Sequence, residues 1–257
     1  GGARGLAHVG SLDVLQANGI LPDEVAGTSV GSIVAAAVAT GYTADEIRQF
    51  FVDYALESKS HPFLDYTIPF ESLASGGRLK RMLQSVFADD RIDATPLPCY
   101  AVATDMHRGS AFLPRESPLW ASVKASCTLP GILPLVGLEG RHLGDGGMVN
   151  NIPSDILRES GCDLIVSFNI TPELGANKFN PKSLMGVLSQ TLDIAVEKGG
   201  EGHLLHADLE VQPSVAGFGT ADFSGGYRLM ELGAEAMEKK LGQLRRLLDR
   251  LHSQTAY

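Results

Sequence analysis

Three short stretches carry residue types that could do chemistry together. The first is Gly27-Thr28-Ser29-Val30-Gly31, a serine between two glycines, entered from "VAGT" and left through the small-residue run "VGSIVAAAVA". A serine hydroxyl attacks an ester only when a base removes its proton, N–H groups receive the oxyanion, and the backbone presents Oγ at a sharp exposed turn. Gly27 and Gly31 suit such an elbow because both remove side chains that would crowd a strand-to-helix reversal. The helix starting at Val30 points its positive end at the reacting centre. The second stretch is Gly1-Gly2-Ala3-Arg4-Gly5. Its glycines let successive amides face one point, as an oxyanion hole requires, and Arg4 reads as a brace for the loop. The third is Asp145 in "LGDGGMVNN", a carboxylate backed by Gly146 and Gly147 that leave it free to approach a hydroxyl.

None of the three is decisive alone. With 29 Gly and 20 Ser in 257 residues, random order gives about 0.25 copies of the serine pentapeptide. Asp-Gly is also a common hairpin signal, and "GGARG" also fits a phosphate-binding turn. A nucleotide site would further require the Lys-Ser/Thr pair of a P-loop, or an acidic residue at the proper distance after a strand, and neither is present. If a histidine were the base, His203 or His206 would follow in the Ser-Asp-His order of α/β-hydrolases. In those enzymes the serine comes after several strands, whereas Ser29 follows the first strand of this chain. His203 and His206 read as neighbours on a helix end, Ser32 as a packing or capping residue, and Asn150 and Asn151 as turn formers with a secondary option of orienting Asp145.

The elements that must position these residues alternate. Helices are expected at 5–18, 30–40, from Thr43 to about 57, and at 77–87, 118–126, 182–198 and 226–251; strands at 24–28, 98–104, 110–113, 163–170 and 208–212. Asn18-Gly19 stops the first helix with a left-handed cap, and Thr43 with Glu46 makes a capping box. "DLIVSFNI" at 163–170 is continuously apolar, as in a strand buried on both faces. The stretch 62–70, rich in aromatic and aliphatic anchors, reads as a loop or cap over something apolar. Alternating strands and helices give an α/β fold with a mainly parallel sheet, in one domain over residues 1–257.

Composition narrows the partners. The formal net charge of −9 excludes nucleic-acid binding through clustered cations and attraction to anionic membranes by charge, so contact with a lipid surface would have to be apolar and peripheral. Cys99, Cys127 and Cys162, odd in number and without a CxxC pair, suit a reducing, cytoplasmic setting, each as a small buried hydrophobe. The longest nearly uninterrupted apolar run, Ile33 to Ala39, is far short of the roughly 20 residues of a spanning helix. No ligand cluster calls for a metal or cofactor.

Taken in order, "GGARGLAHVGSLDVLQANGI", "VAGTSVGS", "ASCTLPGILP", "GDGGMVNNIPSDI" and, more loosely, "FLDYTIP" and "TADFSGGYRL" resemble the patatin-like phospholipases, specifically the neuropathy target esterase type of lysophospholipase domain. The resemblance covers nearly the whole chain. It implies a patatin-like three-layer α/β/α sandwich and a serine–aspartate dyad without histidine, with Ser29 as nucleophile and Asp145 as general base. Gly1, Gly2, Ala3, Arg4 and Gly5 map onto the oxyanion loop, with Gly27, Gly31, Gly146 and Gly147 as supporting motif glycines. The family's loop carries a further glycine and a β-strand ahead of it, so an additional N-terminal strand is expected. The implied substrate is a lipid acyl ester. A catalytically idle module that binds lipid or a partner is the alternative, disfavoured by the intact Ser29 and Asp145. Head group, acyl chain, regiochemistry and oligomeric state have no signature in the sequence.

Overall fold

A computed structural model describes residues 2–56, 65, 72–87, 90–172, 181–182, 184–200, 203–220 and 223–255. The chain opens with a 3-10 turn, Gly2–Gly5, continuous with helix α1, Leu6–Ala17. Leu6, Val9 and Leu12 are buried on its inner face, and the helix ends as expected, with Gly19 at φ +69°. Strand β1, Val25–Thr28, then turns through Ser29 into α2, Val30–Ala39, whose side chains are small and mostly buried. Helix α3, Ala44–Phe51, starts at the Thr43/Glu46 capping box and runs on into a π-helical turn, Val52–Leu56.

Beyond α4, Gly77–Phe87, strand β2, Cys99–Asp105, is buried along almost its whole length. It pairs in parallel with β1, from Val25 opposite Cys99 to Thr28 opposite Val102. At its carboxyl end, Ala103–Asp105, β2 takes antiparallel partners on both edges, β5 (Arg141–Asp145) on the edge away from β1 and β3 (Ser110–Phe112) on the edge that β1 occupies further back, and β5 pairs antiparallel with β4 (Val136–Leu138). The β4–β5 hairpin and helix α6, Ser154–Ser160, are additions to the sequence reading. Each strand of that hairpin is short and glycine-containing, so no period of two is long enough to see. Helix α5, Leu119–Ser126, crosses between β3 and β4.

The second half supplies β6 (Val166–Phe168), α7 (Leu184–Gly200), β7 (Leu209–Val211) and the terminal helix α8 (Gly226–Thr255). β1 pairs in parallel with β2 and β6 with β7, while β3, β4 and β5 pair antiparallel. The result is an α/β sandwich. Helices α1 and α8 approach closely at Gly10 and Gly233, where an added Cβ would stand 1.8 Å from the Met230 carbonyl oxygen and 1.9 Å from that of Ala7.

Two expectations need correction. The strand expected over 163–170 is only Val166–Phe168, and Val166 and Phe168 are half-buried. Its one partner among the described strands is β7; its other edge faces a cavity of about 540 Å³. That cavity runs between Val25–Thr28 of β1 and Ile165–Phe168, under α1, α2, α6 and α8. The cysteines also differ: Cys99 is buried, with its thiol pushed up to about 12 by burial, whereas Cys127 and Cys162 are half-buried.

Candidate functional site

Ser29 is one of two non-glycine residues of the described chain at positive φ, with φ 54° and ψ −131°. Such a conformation is sparsely populated for a residue with a Cβ and persists only where its surroundings enforce it. Here the enforcement is steric and polar. A Cβ on Gly27 would lie 2.3 Å from the Gly31 carbonyl oxygen, so strand and helix meet backbone to backbone at this point. The Ser32 hydroxyl donates to the Ser29 carbonyl at 2.6 Å, and the Ser29 amide donates to Ser126 Oγ at 3.0 Å. Ser32 is fully buried and packs within the start of α2, which has no side-chain cap. Gly31 departs from the expectation that both glycines relieve crowding, since a Cβ there would meet only His8 Nε2, at 3.7 Å.

Asp145 is the last residue of β5, and its register puts it opposite Ala103 on β2, next to Val102, the partner of Thr28. Two ladder steps therefore separate the end of β1 from Asp145, about 10 Å between backbones, a gap that two inward-facing side chains close. Gly146 makes this possible: a Cβ on it would strike the Val102 carbonyl oxygen at 2.2 Å and lie 3.1 Å from Thr28 Cγ2. The Asp145 carboxylate is 3% exposed, and Oδ1 accepts the Gly147 amide at 2.8 Å. Burial raises its pKa above the ordinary carboxylate value, opposed by the Gly147 amide and by the Ser29 hydroxyl. Oδ2 accepts no hydrogen bond, while the Ser29 hydroxyl is near enough to favour the ionised carboxylate.

The expected oxyanion loop stands beside this pair. Gly5 packs on the first residue after Ser29, where a Cβ would lie 2.0 Å from Val30 Cγ1. Within the loop the Ala3 amide is already committed to the Thr220 carbonyl at 2.8 Å. Arg4 braces it, as its position suggested: it is 2% exposed, Nε donates to the Phe218 carbonyl at 2.8 Å, and its guanidinium lies 3.9 Å from Asp193 on α7. Burial lowers its pKa and Asp193 works the other way. Val196, one turn further along α7, covers Gly147: a Cβ there would be 3.0 Å from Val196 Cγ2.

Asn150 and Asn151 do not reach Asp145. Asn150 donates to both Asp155 carboxylate oxygens, at 2.8 and 3.1 Å, and its carbonyl accepts the Thr28 hydroxyl at 2.8 Å; Asn151 donates to Thr171. They tie the turn after Asp145 to β1. His203 and His206 delimit a 3-10 turn, and the His206 side chain is exposed. Gly1 and, apart from Asp65, the stretch 62–70 lie outside the described residues. Ser126 and Thr128 were not singled out individually by sequence reasoning, because a serine at a helix end and a threonine beside it have no local pattern that marks their long-range partners.

The chain is 36% identical over 174 residues to human "Patatin-like phospholipase domain-containing protein 6", covering 66% of this chain and 13% of that protein. It is 37% identical over 161 residues to an "Uncharacterized NTE family protein" of Mycobacterium bovis, covering 61% of this chain and 27% of the relative. Rat "Patatin-like phospholipase domain-containing protein 7" is 33% identical over 174 residues, again 66% of this chain and 13% of the relative. The chain thus spans a minor part of these longer proteins. The sequence model described as "Patatin-like phospholipase" matches residues 1–158, which include Ser29, Asp145 and the glycine loop, and the chain belongs to that family.

Proposed function

We propose that this chain is a serine hydrolase of lipid acyl esters, of the lysophospholipase or phospholipase A type, working through a Ser29/Asp145 dyad. The observation that carries the reading is a serine in a strained turn facing a buried carboxylate whose second oxygen has no other partner. Asp145 takes the hydroxyl proton as Ser29 Oγ attacks the ester carbonyl carbon. The resulting oxyanion is received at the N-terminal end of α2 and by amides of the glycine loop other than that of Ala3, which Thr220 holds. The ester C–O bond then breaks and the leaving alcohol takes the proton from Asp145. Water, deprotonated at Asp145, attacks the acyl carbon, the bond from that carbon to Ser29 Oγ breaks, and Asp145 returns the proton to Oγ. The raised pKa suits this role, since an ordinary carboxylate is a weak base toward a hydroxyl. A fluorophosphonate probe should label the wild type and spare Ser29→Ala; equal labelling of both would remove Ser29 from the reaction.

The lipid setting has support of its own. Met106 and Leu135 are 38% and 40% exposed, and both flank Gly144 beside Asp145, an apolar rim close to the dyad. No helix among the described residues is long and apolar enough to cross a membrane. The reading is therefore a peripheral enzyme that meets lipid through apolar contact, in a reducing, cytoplasmic setting that leaves its three cysteines as free thiols.

The domain reading is one patatin-like unit over 1–257 with one more strand ahead of Gly1. The cavity between β1 and β6 supports it, since a parallel strand there would meet two edges that are unpaired among the described strands and join the two sheets. Its carboxyl end would arrive beside Val30, where the Gly2–Gly5 turn stands, and α1 would become the crossover to β1.

A further inference from the structure

The stretch 125–134 enters the sequence argument only through resemblance, and the dyad leaves it without a task. Its first residues nevertheless touch both members of the pair. Ser126, at the end of α5, has no exposed surface, and its Oγ accepts the Ser29 amide at 3.0 Å. Two residues on, the Thr128 carbonyl accepts the Asp145 amide at 2.7 Å, and Thr128 is itself fixed by its hydroxyl to the Lys124 carbonyl at 2.8 Å. Between them Cys127 Sγ lies 3.8 Å from Ser32 Oγ, the group that holds the Ser29 carbonyl.

Both polar groups of the Ser29 backbone are therefore clamped by serine hydroxyls, one from α2 and one from α5. The two contacts differ in kind. Ser32 is three residues from Ser29, so its bond is local to the helix start. Ser126 is 97 residues away, and its bond is what ties the strained turn to a separate element. A backbone held at φ 54° relaxes unless such contacts over-determine it, and any relaxation swings Oγ away from Asp145.

We propose that Ser126 is a positioning residue: its hydroxyl oxygen holds the Ser29 amide and so aims Ser29 Oγ, while the segment Ser126–Thr128 bridges the Ser29 and Asp145 backbones. The proposal rests on the dyad reading for its catalytic consequence but not for its structural content. In the Ser126→Ala variant the Ser29 amide loses its acceptor. Misaiming a nucleophile by about 1 Å costs on the order of 100-fold, so kcat should fall roughly 10- to 100-fold with KM within about twofold, and fluorophosphonate labelling should slow by the same factor.

Ser122→Ala is the control. Ser122 is equally buried on α5, but its hydroxyl bonds to the Pro118 carbonyl at 3.2 Å and has no contact with Ser29. Hydrogen exchange at the Ser29 amide should accelerate in Ser126→Ala and stay slow in Ser122→Ala. Should the alanine variant not fold, Ser126→Cys keeps a side chain of similar shape with a weaker acceptor, and intermediate kcat with partial loss of Ser29 protection is expected. Wild-type kcat with a protected Ser29 amide in Ser126→Ala, or equal losses in Ser122→Ala, would overturn the proposal. Absence of labelling in the wild type would instead sink the hydrolase reading, and amide exchange would still report on the clamp.

Discussion

Replacing Gly27 by alanine should disable the proposed Ser29 nucleophile for a reason readable in ångströms. The added Cβ would stand 2.3 Å from the Gly31 carbonyl oxygen, 2.5 Å from its carbon and 2.7 Å from the Ser32 nitrogen. All three are backbone atoms in the first turn of α2, so no rotamer change relieves the overlap. Reaching an ordinary contact of about 3.4 Å requires strand and helix to part by about 1.1 Å. Gly27 is not at positive φ, so alanine's own dihedral preference adds nothing and the effect is purely steric. Overpacking of this kind costs about 1–3 kcal/mol, a Tm loss of roughly 2–12 °C for a domain of this size. The parting moves Ser29 itself, and a 1 Å displacement of a reacting group is worth about 100-fold, or about 2.7 kcal/mol of barrier. Gly31→Ala is the matched comparison, because its Cβ would meet only His8 Nε2 at 3.7 Å; it should keep activity within about twofold, as alanine is the better helix former. Fluorophosphonate labelling rate and thermal melts measure both variants. Labelling of Gly27→Ala at more than half the wild-type rate would refute the reasoning, as would equal losses in the two.

Asp145→Asn should stabilise the fold at neutral pH while abolishing turnover. Burial holds the Asp145 pKa above its unfolded value, so the wild type keeps full stability below the ordinary carboxylate pKa and loses some as pH rises through the folded pKa. An amide cannot ionise, so the variant's advantage should open as pH rises above the ordinary carboxylate value; parallel Tm curves above pH ~4 would contradict it. Labelling should rise with pH on a single limb as Asp145 deprotonates, unchanged in His206→Ala, because the exposed His206 has no place in the dyad; loss of activity in that variant with an intact fold would argue for an imidazole base. An apolar strand of about six residues fused ahead of Gly1 should raise Tm and slow amide exchange in Val25–Thr28 and Val166–Phe168, whereas a version with proline at its centre should do less. Unchanged exchange in both strands would empty the cavity reading.

Local chemistry was legible in the sequence wherever a few adjacent residues decide the outcome. The Thr43/Glu46 box starts α3, Gly19 ends α1, and the run of small residues after Ser29 becomes α2. The three stretches were recognisable because glycine and serine at fixed offsets suit one kind of turn. What the sequence could not contain is distance between remote segments. Asp145 reads locally as a turn residue, yet it is the last residue of a strand, and it meets the serine side only because β2 lies between β1 and β5. Its raised pKa comes from burial by elements far along the chain, α7 among them. Ser126 lies in the "ASCTLPGILP" stretch, but nothing local marks the group it holds, which is set by a long-range bond. The shortened β6 follows from an edge that faces a cavity, since a strand's length depends on what pairs with it as much as on its own side chains.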